Sequence, residues 1–295
     1  MFTIAAFRYR NVLSVDGGPV GSIESATVPV CGREMVQANA RLAPGLIRKD
    51  NSVIYGDADG TGTHRVASVA RQMAVSEALE RWAFHSVVRS SSAADFGFDI
   101  DPSSTGMSAY PGLLGRNARR KAMLEAIERF SLIAWWEGRA RWQLFDTDWP
   151  GVSAIAIDGP FGGVTVIAFS RTDYGMFAYG HAAEESFGAA CERAVIELAR
   201  HERALHSWWL DFVSGEKRTP VDVFERRCLF FGTEEGHELF LQRVNGGMQA
   251  PMPKASVICD RSISGPWTDY TTVWRFALRP LSTGYLHGGD NYFFW

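Results

Sequence analysis

Three segments of the chain carry one pattern, A-x-x-x-A-x-x-E. It occurs at Ala70, Ala74 and Glu77, at Ala118, Ala122 and Glu125, and at Ala190, Ala194 and Glu197. Two of the copies are nearly the same word, EALERW from Glu77 and EAIERF from Glu125, 48 positions apart. Positions i, i+4 and i+7 fall on one stripe of an α-helix. Each copy therefore predicts a helix with its glutamate on an alanine stripe, where another backbone can approach closely. A second stripe, Val75, Leu79 and Trp82 in the first copy and Met123, Ile127 and Phe130 in the second, is large and apolar. Both flanks of the glutamate are thus expected to be packed.

The helical pattern extends over about 66–88, 115–138 and 184–212. Polar stretches at 56–64 (GDADGTGTH) and 90–106 read as loops. Two Ile- and Val-rich runs around a Gly/Pro turn at 154–170 predict a hairpin, and 270–278 reads as a strand stopped by Pro280. Helices and strands alternate without a low-complexity linker, so we expect an α/β fold of the α+β type, with repeated helices on mixed or antiparallel sheet. A single domain over 1–295 is expected: a β-rich part to residue 50, a core to 282 and a tail from 283.

With 295 residues, 46% hydrophobic, the chain can bury a large core. Its net charge of −3 and short basic clusters predict neither nucleic-acid nor membrane binding. The first ten residues, broken by Arg8 and Arg10, are too short in apolar character for a signal-peptide core. Cys31, Cys191, Cys228 and Cys259 match no zinc spacing and are expected to be reduced. A cytoplasmic location follows as the default.

Glu77 and Glu80 are an i, i+3 pair, as are Glu125 and Glu128. Carboxylates so close and partly buried repel, and one stays protonated unless a cation intervenes. Mg²⁺, a hard cation, takes oxygen ligands and would resolve the conflict. A plainer reading stands beside this one. Arg81 follows Glu77 by four residues and Arg129 follows Glu125 by four, the spacing of an ordinary helix ion pair.

The ordered set of motifs resembles the YcaO family. It comprises the two ExxER helices, GTGTH before the first, STGMSA (104–109) before the second, IAWW at the second helix end, FAYGHA (177–182) before Glu197, and VWRFALRP near the end. The resemblance covers about 50–282. It implies ATP with Mg²⁺ as cofactors and phosphorylation of a peptide-amide oxygen after a nucleophile attacks the amide carbon. A Cys, Ser or Thr side chain gives an azoline, sulfide a thioamide, and an amine an amidine. The implied partners are a ribosomally made precursor peptide, a TfuA-like or leader-binding protein, and a second copy in a homodimer. Carried over by position, Glu77, Glu80, Glu125 and Glu128 would be metal ligands. Arg81 and Arg129 would orient them or reach phosphate, and Ser104, Asn117, Glu197 and His201 would lie at the nucleotide. No catalytic residue is implied.

The chain departs from the family pattern in places. Met73 stands where a serine is usual, Asn117 where a carboxylate is, and Arg200 and His201 fill the turn that usually holds a glutamine. GTGTH has no lysine. The NYFFW end lacks the prolines of many azoline-forming members, which favours thioamide or amidine chemistry. A non-catalytic copy that holds a peptide or a partner is the alternative. His181 could face the site or serve as a structural hydrogen-bonder, and the Trp135–Trp136 pair reads as packing.

Overall fold

Each alanine–glutamate helix follows directly on a strand. The computed structural model describes residues 4–47, 58–112, 114–216, 219–220 and 222–293. After a short helix α1 (Ile4–Arg8), β1 (Val20–Val30), β2 (Arg33–Leu42) and β3 (Gly60–His64) form an antiparallel sheet that leads into α2 (Ala67–Val87). β4 (Met107–Tyr110) leads into α3 (Arg116–Trp136). A meander of β5 (Trp142–Asp146), β6 (Ser153–Asp158), β7 (Val164–Arg171) and β8 (Phe177–Glu184) leads into α4 (Phe187–Ser214). Two helices, α5 (Val223–Phe231) and α6 (Glu234–Asn245), follow. The chain then returns through β9 (Val257–Ile263) and β10 (Thr272–Leu278), and β10 pairs antiparallel between β4 and β9. A single turn, α7 (Gly284–His287), lies near the end. The described residues therefore form an α+β fold with three antiparallel sheets, one per repeat helix.

The alanine stripes do what small residues allow. Ala70, Ala74 and Ala78 of α2 are fully buried against the first sheet, and Ala190 and Ala194 of α4 against the third. Contact is so close that a Cβ on Gly62 would lie 2.1 Å from the carbonyl oxygen of Ala70. On Gly180 it would lie 2.1 Å from that of Ala194. GTGTH, read from sequence as part of a loop, is thus a strand where it is described. Its glycines face the helix while Thr61 and Thr63 alternate to the other side. Residues 56 and 57 of that stretch lie outside the described residues. In the second unit Ala122, Ala126 and Phe130 pack on Phe276 and Leu278 of β10.

An aromatic cluster closes one end. Trp135, fully buried, has ring centroids 5.5 Å from Phe240 and 5.8 Å from Phe293, and Trp136 packs edge-on to Phe231. The tryptophan pair is therefore core packing between α3, α5 and α6. No described helix is long and apolar enough to cross a membrane.

Candidate active site

The three units are linked in a ring by the residue three positions after each motif glutamate. Glu80 of α2 takes a backbone hydrogen bond from Ala109 on β4. Glu128 of α3 accepts from the Ala183 N–H on β8 at 3.1 Å. Arg200 of α4 donates through Nε to Thr63 Oγ1 on β3 at 3.3 Å, which closes the ring on the first unit. Each repeat helix thus packs on its own strand and reaches the strand of the next.

A cavity of about 650 Å³ lies among these helices, a size suited to a small organic ligand. Its walls carry Glu77, Glu125, Glu128 and Glu197, opposed by Arg81, Arg193, Arg200, Arg203 and His181. Glu77 accepts from the Thr61 N–H at 3.0 Å and pairs with Arg81 at 3.3 Å. Glu128 lies 2.7 Å from His181 Nδ1. Glu197 takes two bonds from Arg200 Nη1, at 2.8 and 3.0 Å.

Glu125, which lines the cavity, and Glu80, which does not, differ from these. Burial, then the charges of Glu125 and Glu77, hold the Glu80 carboxyl well above the usual carboxylate range. Burial and the charge of Glu128 push Glu125 up to about 8, although Arg129, Arg193 and Arg275 act in the other direction. Two neighbouring carboxyl groups on facing helices are therefore under-neutralised by the chain itself. Burial alone would lower the pKa of His181, but the hydrogen bond and charge of Glu128 outweigh burial and raise the pKa above the ordinary histidine value.

The other sequence-derived candidates fall in different places. Arg129 does not form the ordinary i, i+4 pair with Glu125. Its two terminal nitrogens bind the fully buried Asp101, and Nη1 also binds Ser103. Arg275 anchors the same segment through the carbonyls of Asp101 (2.9 Å), Ser103 (2.7 Å) and Thr105 (3.0 Å), and Tyr285 donates to Asp101 at 3.0 Å. This network fixes the segment that carries Ser104, and Ser104 itself is not on the cavity wall. Asn117 is exposed in the first turn of α3, also away from it. His201 reaches the cavity edge, but its ring is buried: Nδ1 accepts from the Tyr179 N–H at 3.0 Å and Nε2 lies 2.9 Å from Cys228 Sγ. Burial pushes its pKa down to about 4, so it is neutral at physiological pH.

Sequence reasoning did not single out Arg193 and Arg203, which share the cavity wall. Arg193 sits four residues before Glu197, one turn up the same helix, and that spacing was a usable signal.

The donor set has the right chemistry for a hard cation and a polyphosphate: carboxylate oxygens and guanidinium groups share the wall of one cavity. Among the described residues, no three His, Cys, Asp or Glu side chains converge closely enough to hold a metal ion as they stand.

No family model and no curated protein matches the sequence. Solved structures match the fold, two of them as follows. YcaO from Methanopyrus kandleri, solved with AMPPCP and Mg²⁺ bound, aligns with a TM-score of 0.56 at 16% identity, over 96% of this chain and 91% of that one. A chain of the E. coli microcin synthetase McbBCD complex with pro-MccB17 bound aligns with a TM-score of 0.53 at 12% identity, over 86% of each chain. The repeated strand–helix units and the near-complete coverage give one conclusion: the chain has the YcaO fold.

Proposed function

We propose that the cavity binds ATP with Mg²⁺ and that the chain modifies backbone amides of a ribosomally made precursor peptide. The observation that carries this reading is the half-buried, under-neutralised Glu80–Glu125 pair, of which Glu125 lines a cavity that also carries Arg81, Arg193, Arg200 and Arg203. Glu80 and Glu125 would hold the cation, with Glu77 and Glu128 as the flanking carboxylates. Arg81 and Arg193 would face the phosphates. Bound ATP would supply the phosphoryl group that turns the amide oxygen into a leaving group. For such transfer the protein's task is positioning and charge neutralisation. The ring contacts serve that task, because each helix is fixed to two strands. The nucleotide and Mg²⁺ in the M. kandleri structure support the cofactor assignment, and pro-MccB17 in the McbBCD complex supports a peptide substrate.

A second reading is a non-catalytic subunit that holds a peptide or a partner protein. One observation favours it: Glu77, Glu128 and Glu197 already have partners within the chain. Mass spectrometry of a co-expressed candidate peptide separates the two. The catalytic reading expects loss of one water, or exchange of oxygen for sulfur, and expects Glu125→Ala to abolish it. Peptide capture with no mass change, unaffected by Glu125→Ala, would establish the second reading and overturn the first.

A further inference from the structure

The three ring junctions are equivalent in position and unlike in charge. At the first, Glu80 lies near Glu125 and Glu77, and Arg81 offsets them only in part. At the second, Glu128 has the His181 imidazole at 2.7 Å. At the third, the place held by a glutamate in the other two units belongs to Arg200.

Arg200 lies between two carboxylates, bonded to Glu197 and within electrostatic reach of Glu77. Its side chain is 18% exposed, and Nε and Nη1 are committed to Thr63 and Glu197. Nη2 makes no hydrogen bond to a described residue, and the side chain lines the cavity. A guanidinium held on one edge by a carboxylate is pre-oriented, with its remaining N–H groups free for an anion.

On this basis, and resting on the nucleotide-binding reading above, we propose that Arg200 is a tethered cation. It replaces a divalent ion at the third junction and binds the phosphate chain of the nucleotide directly. Part of the nucleotide affinity then needs no metal. Glu197 acts as a positioning residue that holds the guanidinium, and the first junction remains the place where a divalent cation is required.

The test is calorimetric titration of AMPPCP into the wild-type chain and into R200Q and R200K, each with Mg²⁺ and with EDTA. Circular dichroism and Tm check the fold of each variant. Loss of one charge-assisted phosphate contact corresponds to a weakening of about ten- to hundredfold. The wild type is expected to keep measurable binding in EDTA. R200Q is expected to lose that metal-independent binding by this factor, and R200K to retain part of it. The converse variant R200E, which completes the repeat with a third carboxylate pair, is expected to bind an additional Mn²⁺, counted by electron paramagnetic resonance. Equal affinities of folded R200Q and wild type in EDTA, or wild-type binding that vanishes without metal, would overturn the role of Arg200 alone. No AMPPCP binding by the wild type under either condition would overturn the nucleotide-binding reading, and this inference with it.

Discussion

Two clusters of charge meet on α3, one buried and one half-buried, and they are built on opposite principles. Asp101, Arg129, Arg275 and Tyr285 form a network in which cations outnumber anions but Asp101 and the backbone carbonyls of 101–105 supply acceptors to both arginines. One turn away, Glu125 faces Glu80, and burial and like charge raise both carboxyls. In the first cluster every buried polar group but Arg275 Nε finds a partner within the chain, and the cluster organises the segment around it. The second is incomplete, and an added cation would relieve it. On the proposed reading, charge met by acceptors of the chain itself marks the structural part of the helix, and under-neutralised charge the part that would address a ligand.

The largest expected effect comes from breaking the first cluster. Asp101→Ala leaves Arg129 and Arg275 buried without their shared carboxylate. Removing one partner of such a network costs roughly 3–5 kcal/mol, a fall in Tm of roughly 6–20 °C. Thermal denaturation without ligand measures it. A change within about 1 °C would show that the backbone carbonyls suffice, a threshold set by the roughly 2–4 °C expected per kcal/mol.

The incomplete cluster predicts a pH dependence of the opposite kind to the usual salt-bridged acid. The Glu125 carboxyl titrates near 4.5 in the unfolded chain and at about 8 when folded. The folded state therefore binds its proton more tightly. Stability is greatest below about 4.5 for this group, falls as pH rises from about 4.5 to about 8, and levels above that. One proton limits the slope to about 1.4 kcal/mol per pH unit. Denaturant unfolding across that range in EDTA should show the fall for the wild type and a flatter profile for Glu125→Gln. Identical profiles would remove the claim that this carboxyl is under-neutralised.

The smallest effect is expected at Arg81, whose pair with Glu77 has side chains 51% and 34% exposed. Arg81→Ala should cost a few tenths of a kcal/mol in stability, as surface i, i+4 pairs do. A loss comparable to Asp101→Ala would erase the distinction between the clusters.

The parts legible in sequence are those with a local period. α2 was expected over about 66–88 and spans Ala67–Val87, and the hairpin expected at 154–170 is the β6–β7 pair. The alanine stripe correctly implied a close backbone neighbour. That the neighbour is Gly60–His64 was hidden, because alternating glycine and threonine reads as a turn until a helix covers the glycine face. The Asp101–Arg275 contact joins residues 174 positions apart, and no local spacing announces it. For the same reason Arg129 read as a partner of the glutamate one turn before it. The motif glutamates were readable because the repeat placed them in register; Arg193 offered only its spacing four residues before Glu197, and Arg203 offered no such signal.

The central claim is that the Glu80–Glu125 junction receives a divalent cation together with ATP. Titration of AMPPCP into the Glu80→Gln/Glu125→Gln double variant, compared with the wild type in Mg²⁺ and in EDTA, tests it most directly. The account predicts that Mg²⁺ strengthens binding to the wild type at least about tenfold, a difference of about 1.4 kcal/mol, and leaves the double variant unchanged. An equal Mg²⁺ response in both proteins, with both folded, would contradict it.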